Sequence, residues 1–583
     1  MKTKILLSGL VAAAAMAFTS CADDFLEQKN TTSPNQETFF SSDKSIEEAM
    51  YPLYNYVWYG FNDKFYYSMG DGRANNITAQ YSNYIKYYTN FNETSLSEGL
   101  NEAWASLYSV VAQSNNTINN IADFSGSGVS EEAKTKGIAE ARFMRGVAYW
   151  YIASLWGDAI VYTRTQDLIN NYEVQANPRA DVMEFAIRDL EYAAAHLPET
   201  SVSGRVNKYS AYGMLSRVYL SMAGLTTEGQ YDGKNVATDF NRGTRNPYYL
   251  DLAKKAALKV IKESSFSLMA NYGDLFKYEN NNNPESVFAL QWNIGATDAI
   301  GWGANQSMPS YYAWSSMVEP GQGWGGATYC SYDLFMEYEE LPKPLTDNDG
   351  NLQTVDLRKH ESVAWYGQKY KDLNKKGGGY EYGVTEAAKT QGASIKKYVI
   401  GTHDDNGVAY SMSFGINTYM MRLAEVYLNF AEATMGNNQS TSDATALYYF
   451  NLVRQRGGLD PKASISYEDL RHERRVEFAF EGLYWYDLVR RSYYKQQEVL
   501  NYINNQNRNA SYYSSATHEY KLSDDYVAPG NGVATATERN LTLPYSDVDQ
   551  NVNKWLKTDG SGKLTTTPYV FGDREVSEDD LFN

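Results

Sequence analysis

Apolar positions recur every three or four residues through most of the first half of the chain. Between Glu98 and Asp123, Trp104, Leu107, Val111, Ser114 and Ile118 fall on one stripe, and from Ile138 to Trp156 the stripe is Ala141, Met144, Ala148, Tyr151 and Leu155. That period is the mark of an α-helix with one buried face. Gly157, next after the second stripe, reads as a helix stop. The same period predicts helices over Ser45–Trp58 with a kink at Pro52, Asp181–His196, Lys208–Ala223 and Tyr249–Glu263. It returns over Asn417–Met435, Ser442–Gln455 and Tyr467–Arg491. A lone amphipathic helix cannot hide its stripe, whereas stacked pairs bury each other's, so the expected fold is mainly α, a curved scaffold of helix pairs.

The helical period fails in three places. Phe61 to Asn92 is rich in Gly, Asn and Tyr, too irregular for a helix and too aromatic for a disordered linker. From Asn280 to Asn417 the composition changes: Glu285–Trp292 reads as a short strand, and Gly295 to Tyr329 then carries Trp302, Tyr311, Trp314 and Trp324 among seven glycines and two prolines. Long glycine-rich loops loaded with Trp are uncommon in a compact domain unless they bind something. An indole suits the apolar C–H face of a pyranose, while Asn, Asp and Arg can satisfy its hydroxyls. Trp292, at the end of the strand, joins these candidates. Ser492 to Asn540 is Asn- and Tyr-rich and again irregular.

One stretch concentrates charge. Arg471 to Arg491, RHERRVEFAFEGLYWYDLVRR, holds five arginines, one histidine and four acidic residues in 21 positions with no proline. It reads as one long, partly buried helix with Val476, Phe480, Leu483 and Asp487 on one side and i,i+3 and i,i+4 pairs among Arg471, Glu473, Arg474 and Glu477 beside it. A charge-laced helix with an aromatic face is a structural element before it is a catalytic one.

The start of the chain has Lys2 and Lys4, an apolar run from Ile5 to Phe18, then Thr19-Ser20-Cys21. This is a signal peptide over residues 1–20, its apolar core too short to span a membrane. A Cys after small residues marks lipoprotein cleavage, so Cys21 is the expected acylated N-terminus of a single domain over 21–583. Each acyl carbon adds roughly 0.8 kcal/mol of membrane affinity, enough for several chains to anchor it stably. The only other cysteine, Cys330, then has no intramolecular partner.

Several separated blocks together resemble the SusD/RagB family of surface nutrient-capturing lipoproteins. They are Glu140–Arg145 running into Leu155-Trp-Gly-Asp158, Arg422–Ala433, Asn451–Gly457, the Arg471–Arg490 block and the closing Leu541–Asn551. Met144 and Gly146 depart from the first conservatively, and Tyr545 and Ser546 from the last. The resemblance runs from Cys21 to about Asn553. It implies a scaffold of tetratricopeptide-type helix pairs, over about 40–270 and 417–491, with a loop-rich part over about 280–416 and 492–553 that carries the ligand site. Phe61–Asn92 resembles the family's first ligand-facing segment, with Asp71, Arg73, Asn76, Tyr81 and Tyr84 as polar and stacking candidates. Asp23-Asp24 resembles the signal that sends such lipoproteins to the outer face of the outer membrane. The implied partners are an oligosaccharide or polysaccharide and a SusC-like TonB-dependent transporter, over which the protein closes as a lid. No cofactor is implied.

Charge and motif content narrow the function further. Removing Lys2 and Lys4 with the leader takes the net charge from −18 to −20, which argues against nucleic acid or anionic lipid as partner. Tyrosine stands out, at 51 residues. The five histidines form no metal-ligand spacing, and no nucleophile elbow, P-loop or dinucleotide fingerprint occurs. His472-Glu473 points in two directions on a helix. The reading is a non-catalytic glycan-binding lipoprotein; the alternatives are a peptide-binding relative or a surface glycoside hydrolase.

Overall fold

The computed structural model describes residues 39–79, 82–169, 171–293, 305–318, 320–324, 328–338, 345–346, 352–353, 356–383, 392–402, 405, 412–509, 511–514, 516–517, 519–522, 534–559 and 562–583. Cys21 and the leader, Tyr81 and Trp302 lie outside them. Ten helices of eight residues or more occur among the described residues: α1 Asp43–Met50, α2 Leu100–Phe124, α3 Glu131–Leu155, α4 Arg179–His196, α5 Lys208–Leu225, α6 Pro247–Glu263, α7 Leu423–Met435, α8 Ala444–Arg456, α9 Tyr467–Glu477 and α10 Tyr484–Asn504.

Local chemistry sets the helix starts. Ser130 accepts the amide of Ala133 at the head of α3, where Glu131 and Glu132 also favour the positive end of the helix dipole. Asn207 and Ser210 form a reciprocal capping box on α5, and Asp443 caps α8. Each helix from α2 to α7 packs on the next in sequence, α9 packs on α7, and α10 returns against α5. This serial stacking is what a helix-pair scaffold requires. Small residues permit the close approaches: a Cβ on Gly146 of α3 would lie 3.0 Å from both the Ala186 carbonyl and the Leu190 side chain of α4.

After α6 the chain leaves the ladder and comes back through a two-stranded antiparallel ribbon. β1, Ser286–Leu290, pairs with β2, Thr418–Arg422, with Thr418 opposite Leu290 and Arg422 opposite Ser286. The segment expected to be helical from Asn417 therefore starts as a strand, and α7 begins only at Leu423. Three further expectations are corrected. Phe61–Asn92 contains helical turns at Phe65–Tyr67, a π-turn at Ser68–Gly72 and a helix over Asn83–Thr89. The tail after Ser492 continues α10 to Asn504 and forms an antiparallel hairpin, Ser511–Ser514 with Glu519–Leu522.

The third correction concerns the charged stretch, which is two helices and not one. Phe480 and Gly482 between α9 and α10 have φ of 67° and 65°, the left-handed region, which ends α9 and re-aims the chain. The pairings expected along one face run instead across the molecule. Arg422 donates to Glu285 (2.5 Å), Glu477 (2.9 Å) and Glu481 (2.7 Å). Arg358 binds Asp356 (2.8 Å), Glu473 (2.6 Å) and Glu477 (3.0 Å), and Arg456 joins Glu285 to Glu477. All are buried or nearly so, and the cluster ties β1, β2, α8 and α9 into one body. His472 turns to Glu337 at 3.0 Å, while its neighbour Glu473 faces Arg358.

Candidate functional site

The two irregular segments meet. Ile77–Thr78 pairs antiparallel with Tyr329–Cys330, Ser331 Oγ donates to the Asn75 carbonyl (2.6 Å), and Thr328 Oγ1 donates to the Tyr311 carbonyl (2.7 Å). Pro309 at the head of the short helix Met308–Tyr312 is pre-set for a first turn, and the Trp324 amide donates to the Ser310 carbonyl at 2.9 Å. These bonds hold Trp324 against the helix that presents Tyr311.

The result is a shelf of rings. Trp324 is 54% exposed and stacks parallel on Tyr311, with ring centres 6.2 Å apart and planes 5° from parallel. Tyr311 in turn meets Tyr84 edge-on at 5.7 Å and Tyr67 at 5.9 Å. Of the sequence candidates, Tyr84, Tyr311 and Trp324 are thus brought together, one from the first segment and two from the second. Trp314 lies half-buried against the core on the turn that follows Tyr312.

Polar groups that pattern reading missed surround the shelf. Asp63 follows the one-turn helix Tyr59–Asn62; its Oδ1 accepts from Ser307 Oγ, and its Oδ2 has no hydrogen-bond partner among the described residues. Burial raises the Asp63 carboxyl above the ordinary range; Ser307 and Lys64 partly offset this. Burial also pushes up the phenols of Tyr59, Tyr67, Tyr84 and Tyr311, Tyr84 to about 12, and the Asp63 charge adds to each shift. Ser307, at the head of the Met308–Tyr312 helix, ties Asp63 to the element that carries Tyr311. Lys64 pairs with Glu98 at 2.7 Å and sits 5.3 Å from the centre of the Tyr84 ring. The only sequence signal for Asp63 was its place inside an aromatic loop.

Tyr311 itself is buried, 5% exposed, as the support of Trp324, and the remaining described candidates also lie in the interior. Asp71 accepts the amides of Phe480 (2.8 Å) and Gly482 (2.6 Å) and the side chain of Asn76 (2.9 Å), with burial raising its carboxyl to about 6. It thereby fixes the turn between α9 and α10. Arg73 donates to Glu93 (2.7 Å) and the Asn540 carbonyl (2.6 Å) and lies over Phe91 and Trp485. Asn76 accepts from Arg475 at 2.9 Å. Trp292 donates its ring N–H to Thr418 at 2.9 Å and meets Tyr59 edge-on. A buried group whose bonds are already made has nothing to offer a ligand. Cys330 is buried and unpaired, its thiol pushed up to about 12 by burial. Among the described residues no group of His, Cys, Asp and Glu could hold a metal, and no helix is long and apolar enough to cross a membrane.

The chain resembles known proteins along nearly its whole length. The family model described as the SusD family matches residues 284–558, and one described as "Starch-binding associating with outer membrane" matches residues 24–220. A SusD-like protein of Bacteroides ovatus is 37% identical over 94% of this chain and 97% of its own length. The starch-binding protein SusD of Bacteroides thetaiotaomicron is 25% identical over 73% of each. A crystal structure with xylogluco-oligosaccharide superimposes with a TM-score of 0.77 at 34% identity, covering 91% of this chain and all of that one.

Proposed function

The chain belongs to the SusD family, and on that premise we propose that it is a non-catalytic glycan-binding lipoprotein of the outer-membrane surface. It captures an oligosaccharide or polysaccharide on the shelf of Tyr84, Tyr311 and Trp324 and passes it to a SusC-like TonB-dependent transporter. The observation that carries this reading is the exposed indole of Trp324 stacked parallel to Tyr311, on a short helix whose leading Ser307 is bonded to Asp63. The indole offers an apolar plane to a sugar's C–H face, and the carboxylate and phenols offer partners to its hydroxyls. The xylogluco-oligosaccharide bound to a protein 34% identical supports a glycan over a peptide. Acylation at Cys21 anchors the protein, and two or more acyl chains suffice for stable attachment.

Affinity gels containing neutral glycans, run beside a peptide panel and an assay for new reducing ends, test the reading. Retardation by a glycan without cleavage is expected. Cleavage would make the protein a hydrolase, and retention of peptides alone would make it a peptide carrier.

A further inference from the structure

Asp63 differs from the buried acids of the ion cluster. The buried carboxylates of Glu285, Glu473, Glu477 and Glu481 each meet one or more arginines or lysines. Asp71 is saturated by backbone amides. Asp63 meets one neutral donor, Ser307 Oγ, through one oxygen, and its second oxygen is bonded to no described residue. The nearby cation, Lys64, is already paired with Glu98. Glu102 on α2 adds a further negative charge whose effect reaches Asp63. The half-buried carboxylate is tied through Ser307 to the head of the helix that carries Tyr311, and the neighbouring Lys64 lies 5.3 Å from the centre of the Tyr84 ring. A charged acceptor in such a setting favours hydroxyl donors and disfavours a second anion, and at a half-buried position water screens the repulsion only in part.

We propose that Asp63 sets the ligand class of the shelf: its free oxygen accepts a sugar hydroxyl, and its charge excludes glycans that carry carboxylates or sulfates. The inference rests on the glycan-binding reading above and narrows it to uncharged chains. Lys64 offsets part of the Asp63 charge, but Glu98 pairs with it at 2.7 Å and, with Glu102, adds negative charge beside it.

Calorimetric titration of the full chain, wild type and Asp63→Asn, with a neutral xylogluco-oligosaccharide and with an oligogalacturonide of similar length tests this. Asn keeps the shape and an oxygen for Ser307 but removes the charge, and an unchanged melting temperature shows that the variant folds. Replacing a charge-assisted hydrogen bond by a neutral one is expected to weaken the neutral ligand about tenfold. Loss of the repulsion is expected to raise affinity for the oligogalacturonide by about the same factor. Neutral-ligand affinity within twofold of wild type, or continued exclusion of the uronate chain by Asp63→Asn, overturns the inference. Trp324→Ala, titrated in parallel, separates this from the reading beneath it. If Trp324→Ala loses the neutral ligand while Asp63→Asn does not, the shelf binds glycan but Asp63 does not select it. If neither variant changes binding, the shelf is not the site and both fall.

Discussion

The ion cluster around Arg422 and the ring shelf around Tyr311 are built from residues that look equally functional in a sequence, and they differ in one respect. In the cluster every carboxylate faces a cation: Glu477 alone is shared by Arg358, Arg422 and Arg456. On the shelf, Trp324 is 54% exposed, and the second oxygen of Asp63 has no partner among the described residues. Saturation, and not density of charge or aromatic rings, separates a residue that holds the fold from one that can meet a ligand.

The contrast is broken most severely at the cluster. Arg422→Ala leaves Glu285, Glu477 and Glu481 buried around a missing cation, and is expected to cost about 3–5 kcal/mol of stability, read by chemical denaturation. Gly70→Ala attacks the same junction by geometry. A Cβ there would lie 2.1 Å from the carbonyl carbon of Gly482, against backbone that cannot yield, so loss of soluble folded protein on expression is expected. Trp324→Ala belongs to the other region: it should lower glycan affinity about thirtyfold, ~2 kcal/mol, with the melting temperature unchanged.

Acid distinguishes the two regions more gently. Burial opposes the charge of Glu477, yet Arg456, Arg422 and Arg358 together hold its carboxyl down at about 2, against an ordinary 4.5. A carboxyl depressed on folding contributes stability that is complete above its unfolded value and is lost as pH falls from there towards 2. Thermal denaturation between pH 6 and pH 3 should therefore show a falling melting temperature, and Glu477→Gln should flatten the dependence. Lys64→Ala is the mildest change. Its bridge to Glu98 is partly exposed, with side chains 30% and 47% accessible, so under about 1 kcal/mol of stability should be lost, measured by thermal melting.

The scaffold was legible because helical period survives any tertiary context. Ala141, Met144, Ala148, Tyr151 and Leu155 are all buried as their spacing requires. The break at Phe480–Gly482 was not, because its cause is Asp71, about four hundred residues away, whose carboxylate captures two amides of the turn. Glycine in that stretch was the one local hint. The site divides in the same way. Tyr84, Tyr311 and Trp324 were named from composition, and the pairing of Ile77–Thr78 with Tyr329–Cys330 joins them. Asp71, Arg73, Asn76 and Trp292 were named on equal grounds and lie inside, because nothing in a sequence tells a polar residue with partners from one without. Asp63 went unnamed for the converse reason: that one of its oxygens lacks a partner among the described residues is a property of the fold.

The most direct test of the central claim is a crystal structure of the protein with a neutral oligosaccharide. The account predicts a sugar ring lying flat on Trp324 with a hydroxyl within hydrogen-bond distance of Asp63. A ligand ordered elsewhere on the molecule, with the Tyr311–Trp324 stack uncovered, would contradict it.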